Sequence, residues 1–257
     1  MWAQGEREGV ARDGRFRGEV VATRRPRSRN DLGAFFAIDS HPPGREPVPP
    51  WRPFRELVDS PGSLRIRVDA VRAALAERAG RPAGQIGLRA AASVAHLGLV
   101  ARLVAPPVAA AATGHRLDLR LDELWWQDTL GGPVPLSIPE PGSLPQRYGQ
   151  YEGVAVLDEV VAPLTAATAG LVPISPRVLW GNVASAVNGA AAQVAERQPD
   201  LAGAAWAAAA GLFASPWLSR ETSPPGPGFR RSSCCLIYTI ASERARARGV
   251  CGDCVLR

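Results

Sequence analysis

All four cysteines of the chain sit in one 21-residue stretch: Cys234, Cys235, Cys251 and Cys254, in the pattern C-C-x15-C-x2-C. Thiols gathered this closely oblige the backbone around them to close on something. In a reducing compartment the natural partner is a metal, because zinc and iron–sulfur clusters both accept four cysteine ligands. Disulfides suit a secreted chain better. The first residues, MWAQGEREGVARDG, hold no apolar core of the kind a signal peptide needs. The expectation is therefore a cytoplasmic protein with reduced thiols. Zinc sites usually open with a C-x2-C knuckle, and the vicinal Cys234–Cys235 pair departs from that. A 2Fe–2S cluster is larger, and its two irons can take sulfurs from neighbouring residues that point apart. Gly252 lets backbone amides approach such a sulfur. Spacing sets iron–sulfur modestly ahead of zinc and leaves zinc open.

The rest of the chain reads as a mainly α body with a small β element, an α+β arrangement followed by the short Cys-rich segment. Residues 1–30 form an Arg/Gly-rich arm, 31–218 the helical body, 219–229 a Pro/Gly linker and 230–257 the cysteine segment. Within the body, Trp51 and Phe54 anchor a Pro-rich extended piece. Ser60-Pro61 opens a helix that carries Leu64, Val68, Val71 and Leu75 on one face and ends near Gly80. Helices follow over 87–104 and 106–113, split at Pro106-Pro107. The alternation from Leu117 to Leu121 predicts a short strand, with GGPVPLSIP as a turn and a possible hairpin partner. A helical pattern runs from Tyr148 to Ala169, interrupted at Pro163. Ser175-Pro176 starts a helix to about Arg197, with Leu179, Val183, Ala186, Ala190 and Val194 along one face. Gly181, Ser185 and Gly189 at spacing four invite another backbone close. A last Ala-rich helix spans 201 to about 214. The apolar stretches 90–113 and 201–218 read as buried helices, so no membrane span is expected.

The net charge of +6 sits at the two ends, with residues 1–30 and 230–257 at +4 each and the middle at −2. A nucleic-acid binder shows a basic stripe with stacking aromatics, so no nucleic acid is expected. The chain holds no P-loop, no G-x-G-x-x-G followed by an acid, no H-E-x-x-H and no nucleophile elbow. His96, on an apolar helix, reads as a satisfied interior histidine, and the Trp125-Trp126 side chains point in different directions.

The segment RRSSCCLIYTI…GVCGDCVLR resembles the C-terminal motif of FhuF-type ferric siderophore reductases, with a longer gap between its two cysteine pairs. The resemblance implies a 2Fe–2S cluster on Cys234, Cys235, Cys251 and Cys254, with Tyr238 part of the motif. It also implies one-electron reduction of a ferric siderophore, which releases Fe(II) because hydroxamate-type chelates hold Fe(III) far more tightly. A separate donor, ferredoxin- or flavoprotein-like, must then supply electrons. SPRVLWGNVASAV resembles the family's Trp-Gly-Asn helix start and points to Arg177, Trp180 and Asn182 as substrate-side candidates, although core packing for Trp180 and a backbone contact for Asn182 are the simpler readings. Arg230 and Arg231 are candidates to tune the cluster or dock a donor, against a simple solvated pair. The rival functions are a zinc-stapled protein–protein module and a 2Fe–2S redox or iron sensor or electron shuttle.

Overall fold

The computed structural model describes residues 32–140, 144–145, 154–221, 223–240 and 250–256. The basic arm, the start of the helical pattern at Tyr148 and the arginines at 244, 246 and 248 lie outside the described residues. The elements run β1 (Asp39–His41), β2 (Arg52–Pro53), α1 (Glu56–Asp59), α2 (Pro61–Ala79), α3 (Leu88–Ala112), β3 (His115–Arg116), β4 (Trp125–Trp126), β5 (Leu136–Pro139) and β6 (Leu144–Pro145). Then come α4 (Val154–Val156), a π segment (Leu157–Val161), α5 (Ala162–Leu171), α6 (Pro176–Arg197), α7 (Ala202–Phe213) and a 3-10 turn (Ile237–Thr239). The expected mainly α fold with a small β element is what forms.

α3 is the axle. It packs against α2, α6 and α7, and Leu99, Val100, Leu103, Val104, Val108 and Ala109 on it are closed to solvent. It is long and apolar enough to cross a membrane by composition, yet 72% of its most apolar window is buried inside the protein. The expected break at Pro106-Pro107 does not occur: α3 runs through both prolines. Each proline withholds one i→i−4 hydrogen bond and costs about 3 kcal/mol in a helix interior. Burial of Val and Leu side chains on both flanks, about 1.5–3 kcal/mol each, outweighs that.

α2 meets expectation, with Pro61 in its first turn and Gly80 at φ 58° closing it. Ser60 holds the N-cap position without a cap bond from its hydroxyl, whereas the Ser175 hydroxyl accepts from Arg177 N at 3.3 Å at the start of α6. All five residues assigned to the apolar stripe of α6 are buried.

The small sheet has the order β1-β5-β4-β2, with β1 parallel to β5 and the other pairs antiparallel; β3 pairs with β6 separately. The predicted hairpin exists with a different first arm. Residues 117–120 join no ladder; β4 pairs with β5 instead, Trp125 opposite Ser137 and Trp126 opposite Leu136. The alternation at 117–120 is real, since Leu117 and Leu119 are buried while Asp118 and Arg120 are exposed. That stretch meets its pattern by inserting alternate leucines into the body. Trp126 takes the ladder because it is locked in place, edge-on to Phe54 and donating Nε1–H to Glu56 Oε1 at 3.0 Å.

The stretch read as a linker is fastened to the body. Gly226 N donates to Asn188 Oδ1 on α6 at 2.8 Å, and Phe229 is buried edge-on against Phe213 of α7. The cysteine segment therefore starts from a fixed point.

Candidate metal centre

The first cysteine pair is held between α3 and the first turns of α6. Ser233 donates its hydroxyl to Arg177 O at 2.9 Å, and Ser93 of α3 donates to Cys235 O at 2.8 Å. Ser233 can lie this close to α6 because residue 181 is glycine: a Cβ there would overlap Ser233 Oγ. The close approach expected at the small-residue stripe thus occurs at Gly181, made by the cysteine segment rather than by a helix, while a Cβ at Gly189 would meet nothing within 4 Å.

The second pair is tied to the first by backbone. Arg231 N donates to Asp253 O at 3.0 Å, and the Arg230 guanidinium reaches Gly252 O at 3.1 Å. Cys254 N to Cys251 O, 3.2 Å, closes the C-x2-C turn. Gly252 serves this turn through its exposed carbonyl. The result brings Cys235 Sγ within 3.5 Å of Cys251 Sγ, with all four cysteines free thiols. Two sulfurs accept backbone N–H groups: Cys234 from Leu236 at 3.3 Å and Cys254 from Leu256 at 3.4 Å. Leu236 has φ 65°, the one left-handed non-glycine among the described residues. A side chain in that region costs about 1–2 kcal/mol, and here it turns the chain so that Leu236 N faces back onto Cys234 Sγ. Tyr238 follows, half-buried, in the 3-10 turn.

Arg231 corrects its assignment to a donor-facing or solvated surface. It is 2% exposed, and its guanidinium donates to Asn182 Oδ1 at 2.5 Å and to Val178 O at 3.4 Å. Its Nε finds no acceptor, and no carboxylate pairs with it among the described residues. A buried cation without a counter-charge is expensive. Burial pushes the Cys234 thiol up, helped by the sulfurs of Cys235 and Cys254 and opposed by the Leu236 N–H and, least, by Arg231; burial and then Arg231 keep His96 neutral. Burial pushes the Cys251 thiol up, and the contact with Cys235 and the nearby Asp253 push the same way. Cys234 and Cys251 thus keep their protons near neutral pH.

Asn182 is corrected likewise. It is fully buried, so it touches no substrate; its amide Nδ2 donates to Ser93 O at 3.0 Å and Ser93 Oγ at 3.1 Å while its oxygen holds Arg231. Arg231, Asn182, Ser93 and the Cys235 carbonyl form one continuous chain of hydrogen bonds. Trp180 is half-buried and packs against the main core, as the simpler reading had it, and it stacks on Trp217 at 4.7 Å, which is partly exposed and donates to Asp158 Oδ1. Of the three substrate-side candidates, Arg177 alone presents an exposed side chain. Arg230 is exposed as expected. Ser93 and Ser233 were not singled out from the sequence. A signal existed for Ser93 alone, because a lone Ser and His one turn apart on an apolar helix mark a face that must meet something polar.

Among the described residues no three His, Cys, Asp or Glu side chains stand close enough to form a closed metal-binding group. In its chemistry the donor set suits a four-cysteine metal centre, zinc or 2Fe–2S alike: four thiols in one segment with Cys235 and Cys251 in contact, backbone N–H groups aimed at two sulfurs, and a buried cation with no carboxylate partner among the described residues. No protein-family model, no curated protein and no solved structure matches the chain.

Proposed function

We propose that this chain is a cytoplasmic 2Fe–2S protein that reduces Fe(III)-siderophore complexes by one electron, releasing Fe(II), with electrons drawn from a separate ferredoxin- or flavoprotein-like donor. The observation that carries the reading is Arg231, a buried guanidinium with no carboxylate partner among the described residues, for which the neighbouring sulfurs, as thiolates, would supply the counter-charge. When bound, a 2Fe–2S cluster supplies reversible one-electron transfer. Cys234, Cys235, Cys251 and Cys254 would hold it as thiolates. Arg231 then offsets their negative charge, and Asn182 keeps Arg231 in place. Ser93 fixes the Cys235 backbone, so the first ligand pair is anchored to the core of the protein rather than to a loose tail. Arg230 and Arg177, both exposed, present positive charge near this segment, suited to an acidic donor or an anionic chelate.

Iron and acid-labile sulfide analysis of anaerobically purified protein, with its visible spectrum, tests the reading. The expected result is two irons and two sulfides per chain and absorption bands between roughly 300 and 600 nm. Colourless protein with stoichiometric zinc would make the segment a zinc staple instead. Mixing the reduced protein with a ferric hydroxamate complex under anaerobic conditions then separates a reductase from a sensor or shuttle: prompt reoxidation with Fe(II) trapped by a chelator is expected, and an inert reduced protein would refute the activity.

A further inference from the structure

The four thiols divide into two kinds. Cys234 Sγ and Cys254 Sγ each accept a backbone N–H, from Leu236 and Leu256. Cys235 and Cys251 instead touch each other: the Cys235 thiol donates to Cys251 Sγ at 3.5 Å although 16 residues separate them along the chain. Both sides of this contact are held by the folded chain itself. The Cys235 carbonyl is bonded to Ser93 on α3, and the turn from Cys251 to Cys254 is bonded to Arg231 N and to the Arg230 guanidinium. Tethering of this kind replaces a bimolecular encounter of two thiols by an intramolecular one. Cys251 is half-buried and Cys235 is 3% exposed, so a reagent from solvent meets Cys251 first.

We propose that in metal-free protein Cys235 and Cys251 form a reversible disulfide that closes the centre to metal. The oxidant is a low-molecular-weight disulfide of the glutathione type. Cys251 attacks it, forms a mixed disulfide and releases one glutathione thiol. Cys235 then attacks the Cys251 sulfur and expels the second. The two cysteines lose two electrons and two protons, and the glutathione disulfide gains them as two thiols. Two local pairings compete and are disfavoured. The Cys234–Cys235 peptide is trans, which sets its Cα atoms about 3.8 Å apart, short of the roughly 4.4 Å at which disulfides begin. Cys254 shares a turn with Cys251, but its sulfur is held by the Leu256 N–H and is buried, while Cys235 already lies against Cys251 Sγ. Which sulfurs join follows from this geometry alone. Only the consequence, lost metal loading, rests on the four-cysteine reading above.

The test uses the full chain, stripped of metal by a chelator under reductant and freed of both. It is treated with oxidised glutathione, its remaining thiols are alkylated, and it is digested with trypsin without reduction. Cleavage after Arg231, Arg244 and Arg248 leaves the first cysteine pair in residues 232–244 and the second in 249–257. The expected product is these two peptides joined by one disulfide, which fragmentation places between Cys235 and Cys251. Cys235→Ser and Cys251→Ser should lose the joined product, and Cys254→Ser should keep it. A loop confined to either peptide, or a link through Cys234 or Cys254, would overturn the pairing. Oxidised protein should take up zinc, or iron with sulfide, about tenfold less than reduced protein, and dithiothreitol should restore uptake. Equal uptake before and after oxidation would overturn the closure. No uptake by the reduced protein would refute the metal centre instead, and the peptide map would still decide the pairing.

Discussion

Asn182→Ala is the sharpest single perturbation of this protein. The Asn182 side chain makes three hydrogen bonds in a region closed to solvent: one accepted from the Arg231 guanidinium and two donated to Ser93. Losing the charged bond strands a cation that has no other side-chain partner, at about 1.5–3 kcal/mol. The bonds to Ser93 are worth less, because Ser93 Oγ keeps its bond to Cys235 O; about 1 kcal/mol covers both. The expected loss is about 2.5–4 kcal/mol, a large fraction of an ordinary domain's stability. Urea unfolding of protein purified without metal measures it by the shift in midpoint at constant slope. Asn182→Asp is the companion. It retains an acceptor for Arg231 and adds the missing negative charge, so it should recover most of the loss while competing with the cysteines for that cation. Iron content should then fall in Asn182→Asp even though the protein is stable. A loss below about 1 kcal/mol in Asn182→Ala would mean that Arg231 is solvated after all, and the argument for a buried counter-charge would fail.

Other expectations follow from the same geometry. Gly181→Ala forces Ser233 off α6 and should cost a net 1–2 kcal/mol, roughly, despite better helix propensity, whereas Gly189→Ala on the same helix should gain up to about 1 kcal/mol; equal effects in denaturant melts would refute the close approach. Cys235→Ser removes one of the four proposed ligands and should abolish stable iron loading, and full iron content with an unchanged spectrum would refute the ligand assignment. His96 is buried against Thr165 Oγ1 at 3.0 Å, and burial, helped by Arg231, holds its pKa down to about 3. The unfolded chain takes up that proton near 6.5 and the folded one does not, so stability should decline by up to about 1.4 kcal/mol per pH unit as pH falls from 6.5 toward 3. His96→Leu should remove that part of the slope; an identical pH profile would refute it. Arg102→Met should destabilise by at least about 3 kcal/mol, since the buried Arg102 binds the carbonyls of Phe35, Ala37 and Val134 together; a thermal melt within a degree of wild type would refute that clamp.

Helix positions were legible because their signals are local. Pro61 and Gly80 bracket α2, Ser175 caps α6, and period-3.6 apolar residues mark the buried faces. The continuity of α3 was not legible, because prolines argue for a break and only the surrounding core outweighs them. The strand at Trp125-Trp126 was missed for a related reason: two residues carry no periodicity, and the pairing depends on Trp126 being locked by Glu56 and Phe54. In the candidate centre the cysteines were evident from their clustering alone. Their supports were not, because Ser93, Asn182 and Arg231 are separated by 89 and 49 residues along the chain.

By itself the amino-acid order determined which sulfurs could act together, which stretches are helical and where the charge lies, since spacing, capping and periodicity act over a few residues. The tertiary structure alone decided that Arg231 faces inward while its neighbour Arg230 faces water, and that Asn182 supports a site instead of touching a substrate. Those outcomes depend on whether a polar group finds a partner across the core, and that is set by packing between distant segments rather than by local sequence.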